Sequence, residues 1–103
     1  MPKILVVEDD FDIQELLQNF LQAANYKVTI ASDGVEALSF FANQQYDLIL
    51  LDIMLPKIDG FTVCELIRKQ SQVPIIMLTA LNGEEEQIKG SDLQVEDYIT
   101  KPF

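Results

Sequence analysis

The amino-acid sequence predicts an α/β fold, a doubly wound parallel sheet of five strands, from three observations. Short apolar or β-branched runs recur along the chain, segments of helical period separate them, and the first, third and fourth runs are apolar nearly throughout instead of alternating. Strands with no polar side are covered on both faces, as in a parallel sheet whose crossovers lay helices on each side. With 103 residues, 49% hydrophobic and 23% charged, and only four Gly and four Pro, the chain suits one globular domain over 1–103 and leaves no room for a second.

The strands are expected at residues 3–7, 27–31, 47–52 and 74–79, with a weaker one at 97–100. Between the first two, Ile13, Leu16, Leu17, Phe20, Leu21 and Ala24 follow the i, i+3, i+4, i+7, i+8, i+11 spacing of an amphipathic helix. Asp12, with Glu15 three residues on, resembles a capping box and marks its start. Asp33 with Glu36 opens a second helix carrying Val35, Leu38 and Phe41. A third is expected over about 61–70, with Val63, Leu66 and Ile67 turned inward, after a turn at 56–60. Asn82 with Glu85 opens a fourth, before Ile88. Strict alternation with right-handed crossovers puts the carboxyl end of every strand on one edge. In the flavodoxin-like order 2-1-3-4-5, ligands bind between strands one and three on that edge.

Seventeen acids against seven bases give a net charge of −10, and there is no His. Imidazole bases, Ser-His-Asp triads and His-ligated zinc are therefore excluded, and the single Cys64 excludes an internal disulfide or a thiolate zinc cage. Cys64 stands among apolar residues as a small core side chain. The acidic balance disfavours phosphate backbones and anionic lipids, so no nucleic acid is expected to bind this domain alone, and no membrane. The longest apolar runs are about four residues and the chain turns acidic by Glu8, so neither a spanning segment nor a secretory leader is expected. A cytoplasmic, reducing setting follows as an expectation.

Chemistry must then run on carboxylates, hydroxyls and lysine. At the predicted carboxyl edge stand Glu8, Asp9 and Asp10 after the first strand, Asp52 after the third, Thr79 after the fourth and Lys101 after the fifth. Taken singly, the acids also suit a solvated loop and Lys101 a surface amine. Their convergence on four strand ends favours a site. Crowded carboxylates in a wet cleft are best relieved by a hard divalent cation with oxygen ligands, and Mg2+ is the natural occupant. With it bound, Asp52 could attack an electrophilic phosphorus while Lys101 neutralises the equatorial oxygens and Thr79 donates a hydrogen bond, leaving an aspartyl phosphate.

The segments Ile4-Leu-Val-Val-Glu-Asp-Asp10, Leu50-Leu-Asp-Ile-Met-Leu-Pro56 with Asp59-Gly60, Met77-Leu-Thr-Ala80 and Asp97-Tyr-Ile-Thr-Lys-Pro-Phe103 resemble, in order and spacing, the signatures of the response-regulator receiver domain of two-component signalling. The closing segment is most similar to receivers of the winged-helix transcription-factor subfamily. The resemblance implies a phosphorylation-dependent switch in transcription regulation, with a histidine kinase as partner and no catalysis beyond the domain's own phosphorylation and dephosphorylation. It makes Asp52 the phosphoacceptor, Asp9 a direct Mg2+ ligand with Glu8 acting through water, and Met54 a ligand through its backbone carbonyl. It makes Lys101 the phosphoryl-binding amine, Thr79 the switch hydroxyl and Tyr98 the rotating aromatic, although Tyr98 alone would read as a half-buried strand residue. Ala80 leaves the pocket accessible, and Pro102 stands where the family often has a cis peptide.

Three departures from the family pattern fall late in the chain. Ser91 replaces a large apolar residue, Gln94 replaces a helix-ending Gly, and the chain stops at Phe103 with no fifth helix. Apolar side chains of strands one, three, four and five are then expected to be exposed beside the first helix, and a homodimer is one way to cover them. A haloacid-dehalogenase-type enzyme would need an acid where Met54 stands, and a flavin module would be repelled by the Glu8 to Asp10 acids. A receiver-fold interaction module not regulated by phosphorylation is the alternative.

Overall fold

The computed structural model describes residues 1–79 and 97–100. The fourth helix expected from Asn82 and Glu85, with Ala80, Ser91, Gln94, Lys101 and Pro102, lies outside the described residues, as do the side chains of Thr79 and Tyr98. The elements are β1 (Lys3–Val7), α1 (Phe11–Ala23), β2 (Lys27–Ala31), α2 (Gly34–Asn43), β3 (Leu48–Asp52), α3 (Gly60–Arg68), β4 (Ile75–Thr79) and β5 (Asp97–Thr100). All strand pairs are parallel, and the sheet runs β2-β1-β3-β4-β5. The topology is the one the alternation predicts.

Two-residue periodicity divides the sheet's apolar residues between two cores. Leu5, Val7, Ile49, Leu51, Ile75 and Met77 face α2 and α3 and pack with Ala37, Phe61, Val63, Cys64 and Ile67. On the other face Ile4, Val6, Leu50 and Leu78 pack under Leu17 and Leu21 of α1. Cys64 is fully buried, and burial pushes its thiol above the ordinary value, as befits a core residue.

The structure revises two expectations. First, α1 is capped by Asp10, two residues before the expected Asp12: one Asp10 carboxylate oxygen accepts from the amides of Asp12 and Ile13 at 2.9 and 3.2 Å. An acidic residue stands at both positions, and only the entry direction from β1 distinguishes them. At its far end α1 closes in a Schellman motif, with Asn25 in the left-handed region at φ 70° and Tyr26 N–H donating to Leu21 O. Second, the sheet face beside α1 is less open than anticipated. Ile4, Val6, Leu50 and Leu78 are all at most 6% exposed, and among these strands' described apolar side chains Ile99 is the most exposed, at 38%. Leu17 and Leu21 of α1, with Leu48 and Ile76 of the sheet itself, pack against these side chains. Among the described residues no helix is long and apolar enough to cross a membrane.

Candidate functional site

The carboxyl ends of β1 and β3 lie side by side, with Val7 registered against Leu51. The residues that follow this pair, Glu8 and Asp9 after β1 and Asp52 at the end of β3, come together there. Each offers a carboxylate oxygen, and the three atoms all lie within 4.8 Å of one another. Glu8 and Asp52 are buried, at 0% and 3% exposure, whereas Asp9 is exposed. At that spacing two ionised carboxylates oppose each other by on the order of 3 kcal/mol at an effective dielectric of 20. The cluster is therefore ready for a cation.

The donor set fits Mg2+. Three hard oxygen ligands converge, two of them held by the fold and one facing solvent, where water can complete an octahedron. Asp10, the fourth acid of the region, is outside this cluster because its carboxylate caps α1.

The loop after β3 is shaped by short-range hydrogen bonds. Met54 N–H donates to Asp52 Oδ1 at 3.2 Å, Leu55 N–H to Ile53 O at 3.2 Å, Ile58 N–H to Pro56 O at 2.8 Å and Gly60 N–H to Ile53 O at 2.8 Å. Lys57 sits in the left-handed region at φ 69°, a conformation costing a non-glycine residue about 1 kcal/mol. The loop closes on Asp59, which caps α3 by accepting from Thr62 N–H at 2.9 Å.

A second turn braces that loop from the side. Asp33 caps α2, accepting from Glu36 N–H at 2.8 Å, while Glu36 Oε1 reaches back to Ser32 N–H at 2.8 Å, much as the Asp-x-x-Glu spacing predicts. Lys57 Nζ lies 3.3 Å from the other Asp33 oxygen. The Glu36 amide, with lesser help from Lys57, holds the Asp33 carboxyl below its ordinary value against a burial effect of opposite sign.

Of the residues named from the sequence, Glu8, Asp9 and Asp52 are brought together as expected. Met54 is adjacent, its amide on Asp52 and its side chain 68% exposed. The backbones of Thr79 and Thr100 are paired at the ends of β4 and β5, and Tyr98 pairs with Met77. Lys101 lies outside the described residues. Sequence reasoning missed Gln14, whose amide donates to the Glu8 carbonyl, and the close approach of Gly34 to Ile58 and of Gly60 to Asp52 and Ile53. The two Asp-Gly pairs that open α2 and α3 were the available signal for the glycines. For Gln14 the signal is weaker: a polar residue directly beside the apolar stripe of α1.

The model of the family "Response regulator receiver domain" matches residues 4–103. The chain is 48% identical over 101 residues to the protein named "Probable transcriptional regulator ycf27" of Guillardia theta, covering 98% of this chain and 40% of that one. It therefore spans about two-fifths of the length of that relative. Among solved structures it resembles the receiver domain of the Francisella response regulator 1452, with TM-score 0.92 and 38% identity over 100% of this chain and 86% of that chain. It also resembles the receiver domain of sensor histidine kinase PA1611 from Pseudomonas aeruginosa, solved with a magnesium ion coordinated in the active-site cleft. That similarity has TM-score 0.90 and 36% identity, over 99% of this chain and 86% of that one.

Proposed function

The chain belongs to the response-regulator receiver domain family, and on that premise we propose that residues 1–103 act as one phosphoacceptor unit that takes a phosphoryl group onto Asp52 in the presence of Mg2+. The observation that carries this is the meeting of Glu8, Asp9 and Asp52 at the carboxyl edge between β1 and β3. The phosphoryl donor is a phosphohistidine of a partner histidine kinase in the cytoplasm. An Asp52 carboxylate oxygen attacks phosphorus, the P–N bond breaks with its electron pair going to the imidazole, and the imidazole takes a proton from solvent.

Glu8 and Asp9 would hold Mg2+ together with Asp52 and the Met54 carbonyl, and the ion would supply charge neutralisation at the phosphoryl oxygens. Asp9 would ligate directly and Glu8 through water. Asp52 is held by the Met54 amide on its Oδ1 and is buried, at 3% exposure, beside the carboxylates of Glu8 and Asp9. Lys101, Thr79 and Tyr98 complete the site as phosphoryl-binding amine, switch hydroxyl and rotating aromatic. The output is transcription regulation by the longer protein to which such a receiver belongs, a reading supported by the name of the ycf27 relative.

The test is incubation with Mg2+ and acetyl phosphate, which is expected to give an adduct stable to acid and labile to base. No adduct, or one formed equally well in EDTA, overturns the proposal. In that event the domain is an interaction module independent of phosphorylation.

The adduct is expected to be long-lived. Met54, two residues past Asp52, is an exposed apolar residue, and Leu81 is apolar as well; neither side chain can orient an attacking water. Met54→Asn with Leu81→Glu is expected to shorten the half-life severalfold, as read by loss of phosphate in a chase, and an unchanged half-life refutes this.

Self-association is part of the same proposal. Leu16, Leu17, Phe20, Leu50, Leu78 and Ile99 line an almost wholly apolar groove of about 300 Å3, with Phe20 71% exposed beside it. A second copy inserting its own Phe20 would fill the groove through a two-fold contact. Sizing over a concentration series is expected to show a monomer–dimer equilibrium, and a concentration-independent monomer rules it out.

A further inference from the structure

Gln14 lies on the second turn of α1, half-buried, and its side-chain amide has two acceptors. Nε2 donates to the backbone carbonyl oxygen of Glu8 at 2.6 Å and to Ser32 Oγ at 3.1 Å. A primary amide has two N–H bonds, so both are engaged. One contact ties α1 to the loop after β1, and the other ties it to the turn after β2.

The Glu8 carbonyl belongs to the rigid peptide plane joining Glu8 to Asp9. Fixing its oxygen constrains ψ of Glu8 and φ of Asp9 together, and these set the direction in which Asp9 leaves the chain. The rest of Glu8 is already anchored: its N–H donates to Ala31 O at 3.0 Å, and Oε2 accepts from Asp10 N–H at 2.9 Å. Asp9 differs. Among the described residues nothing hydrogen-bonds to its carboxylate, and the side chain is exposed. Its aim toward Glu8 and Asp52 comes from the backbone, and the peptide that delivers it is the one Gln14 clamps.

We infer that Gln14 is a positioning residue for the acid cluster: it holds the Glu8–Asp9 peptide, with Ser32 as its second anchor, so that the Asp9 carboxylate stays in reach of the same cation as Glu8 and Asp52. The inference rests on the proposed function in taking that cation to be Mg2+. Gln14 touches neither the ion nor the phosphoryl group. Its effect is to save the site the entropy of ordering Asp9 at the moment of binding.

The test is calorimetric titration of Mg2+ alone into the wild-type chain and into Gln14→Met, with thermal unfolding of both in EDTA. Methionine matches glutamine in length and helix propensity but carries no donor. Mg2+ affinity is expected to fall about tenfold, the low end of the effect of removing a residue that orients a metal ligand. Ser32→Ala keeps the Glu8 contact while removing the second anchor, and is expected to weaken Mg2+ binding about threefold; it decides the matter if Gln14→Met does not fold.

A Tm in EDTA that drops while Mg2+ affinity stays within about twofold of wild type assigns Gln14 to fold stability only and overturns the inference, leaving the phosphoacceptor function intact. A wild-type chain that binds no Mg2+ overturns both.

Discussion

Asp52→Asn is expected to reduce phosphoryl incorporation from acetyl phosphate to background at any Mg2+ concentration. The substitution is close to isosteric, and the amide oxygen can still accept from Met54 N–H as the carboxylate does at 3.2 Å, so the loop after β3 has no reason to rearrange. What disappears is the nucleophile: an amide oxygen does not displace an imidazole or an acetate from phosphorus at neutral pH. Phosphate bound after a fixed incubation, read by mass, is the measure, with far-UV circular dichroism as the check on folding. Incorporation at the wild-type rate would move the acceptor to another residue. The neighbouring acids Asp9 and Glu8 would then be the first to examine.

Gly60→Ala is expected to destabilise the fold by about 3 kcal/mol, a large share of the stability of a domain of this size. A Cβ at this position would run into the carbonyl oxygen of Asp52, with the Ile53 Cα at 2.7 Å and the Asp52 carbonyl carbon at 2.9 Å. All three are backbone atoms, and no rotamer change can move them aside. The helix-propensity gain of alanine over glycine, at most about 1 kcal/mol, is smaller than the cost of moving that strand end. Gly34→Ala meets the Ile58 carbonyl oxygen at 2.5 Å and is the natural companion. Urea unfolding gives the difference directly, and a midpoint shift within error for Gly60→Ala would show that β3 and α3 can separate at little cost. Because the clash is with the backbone of Asp52, the proposed acceptor, the variant is also expected to lose phosphorylation in its folded fraction.

How far the sequence foretold these features depends on the range of the interactions behind them. The runs at 3–7, 47–52 and 74–79 announce buried parallel strands because they are apolar nearly throughout, so both of their faces must be covered. Asp33 announces a cap because its partner Glu36 is three residues away and the whole motif is local. Asp52 is marked by position alone, as an acid ending an apolar strand. The α1 cap falls on Asp10 and not on Asp12 because both are acceptable locally and the choice is made by how β1 delivers the chain. Phe11 lies inside the helix yet is 73% exposed, so it gives no periodic signal of the earlier start. The burial of Glu8 and its link to Gln14 depend on β2 and α1 folding against β1. Such contacts have no local spacing to betray them.

The sheet register has a kinetic corollary. The acid cluster draws on residues 8, 9 and 52, and it comes into being only when Ile4 to Val7 zip against Leu48 to Leu51, a pairing that closes a loop of more than forty residues. Loops of that size form late relative to single helices, and contacts of high sequence separation slow folding. Among the described residues the three acids of the cluster stand on β3 and on the loop after β1, so this candidate site draws together once the first three strands have assembled. During synthesis from the ribosome, a divalent ion would thus find its ligands before the carboxyl-terminal part of the sheet had joined, and would act as an early fastener on the central strand pair.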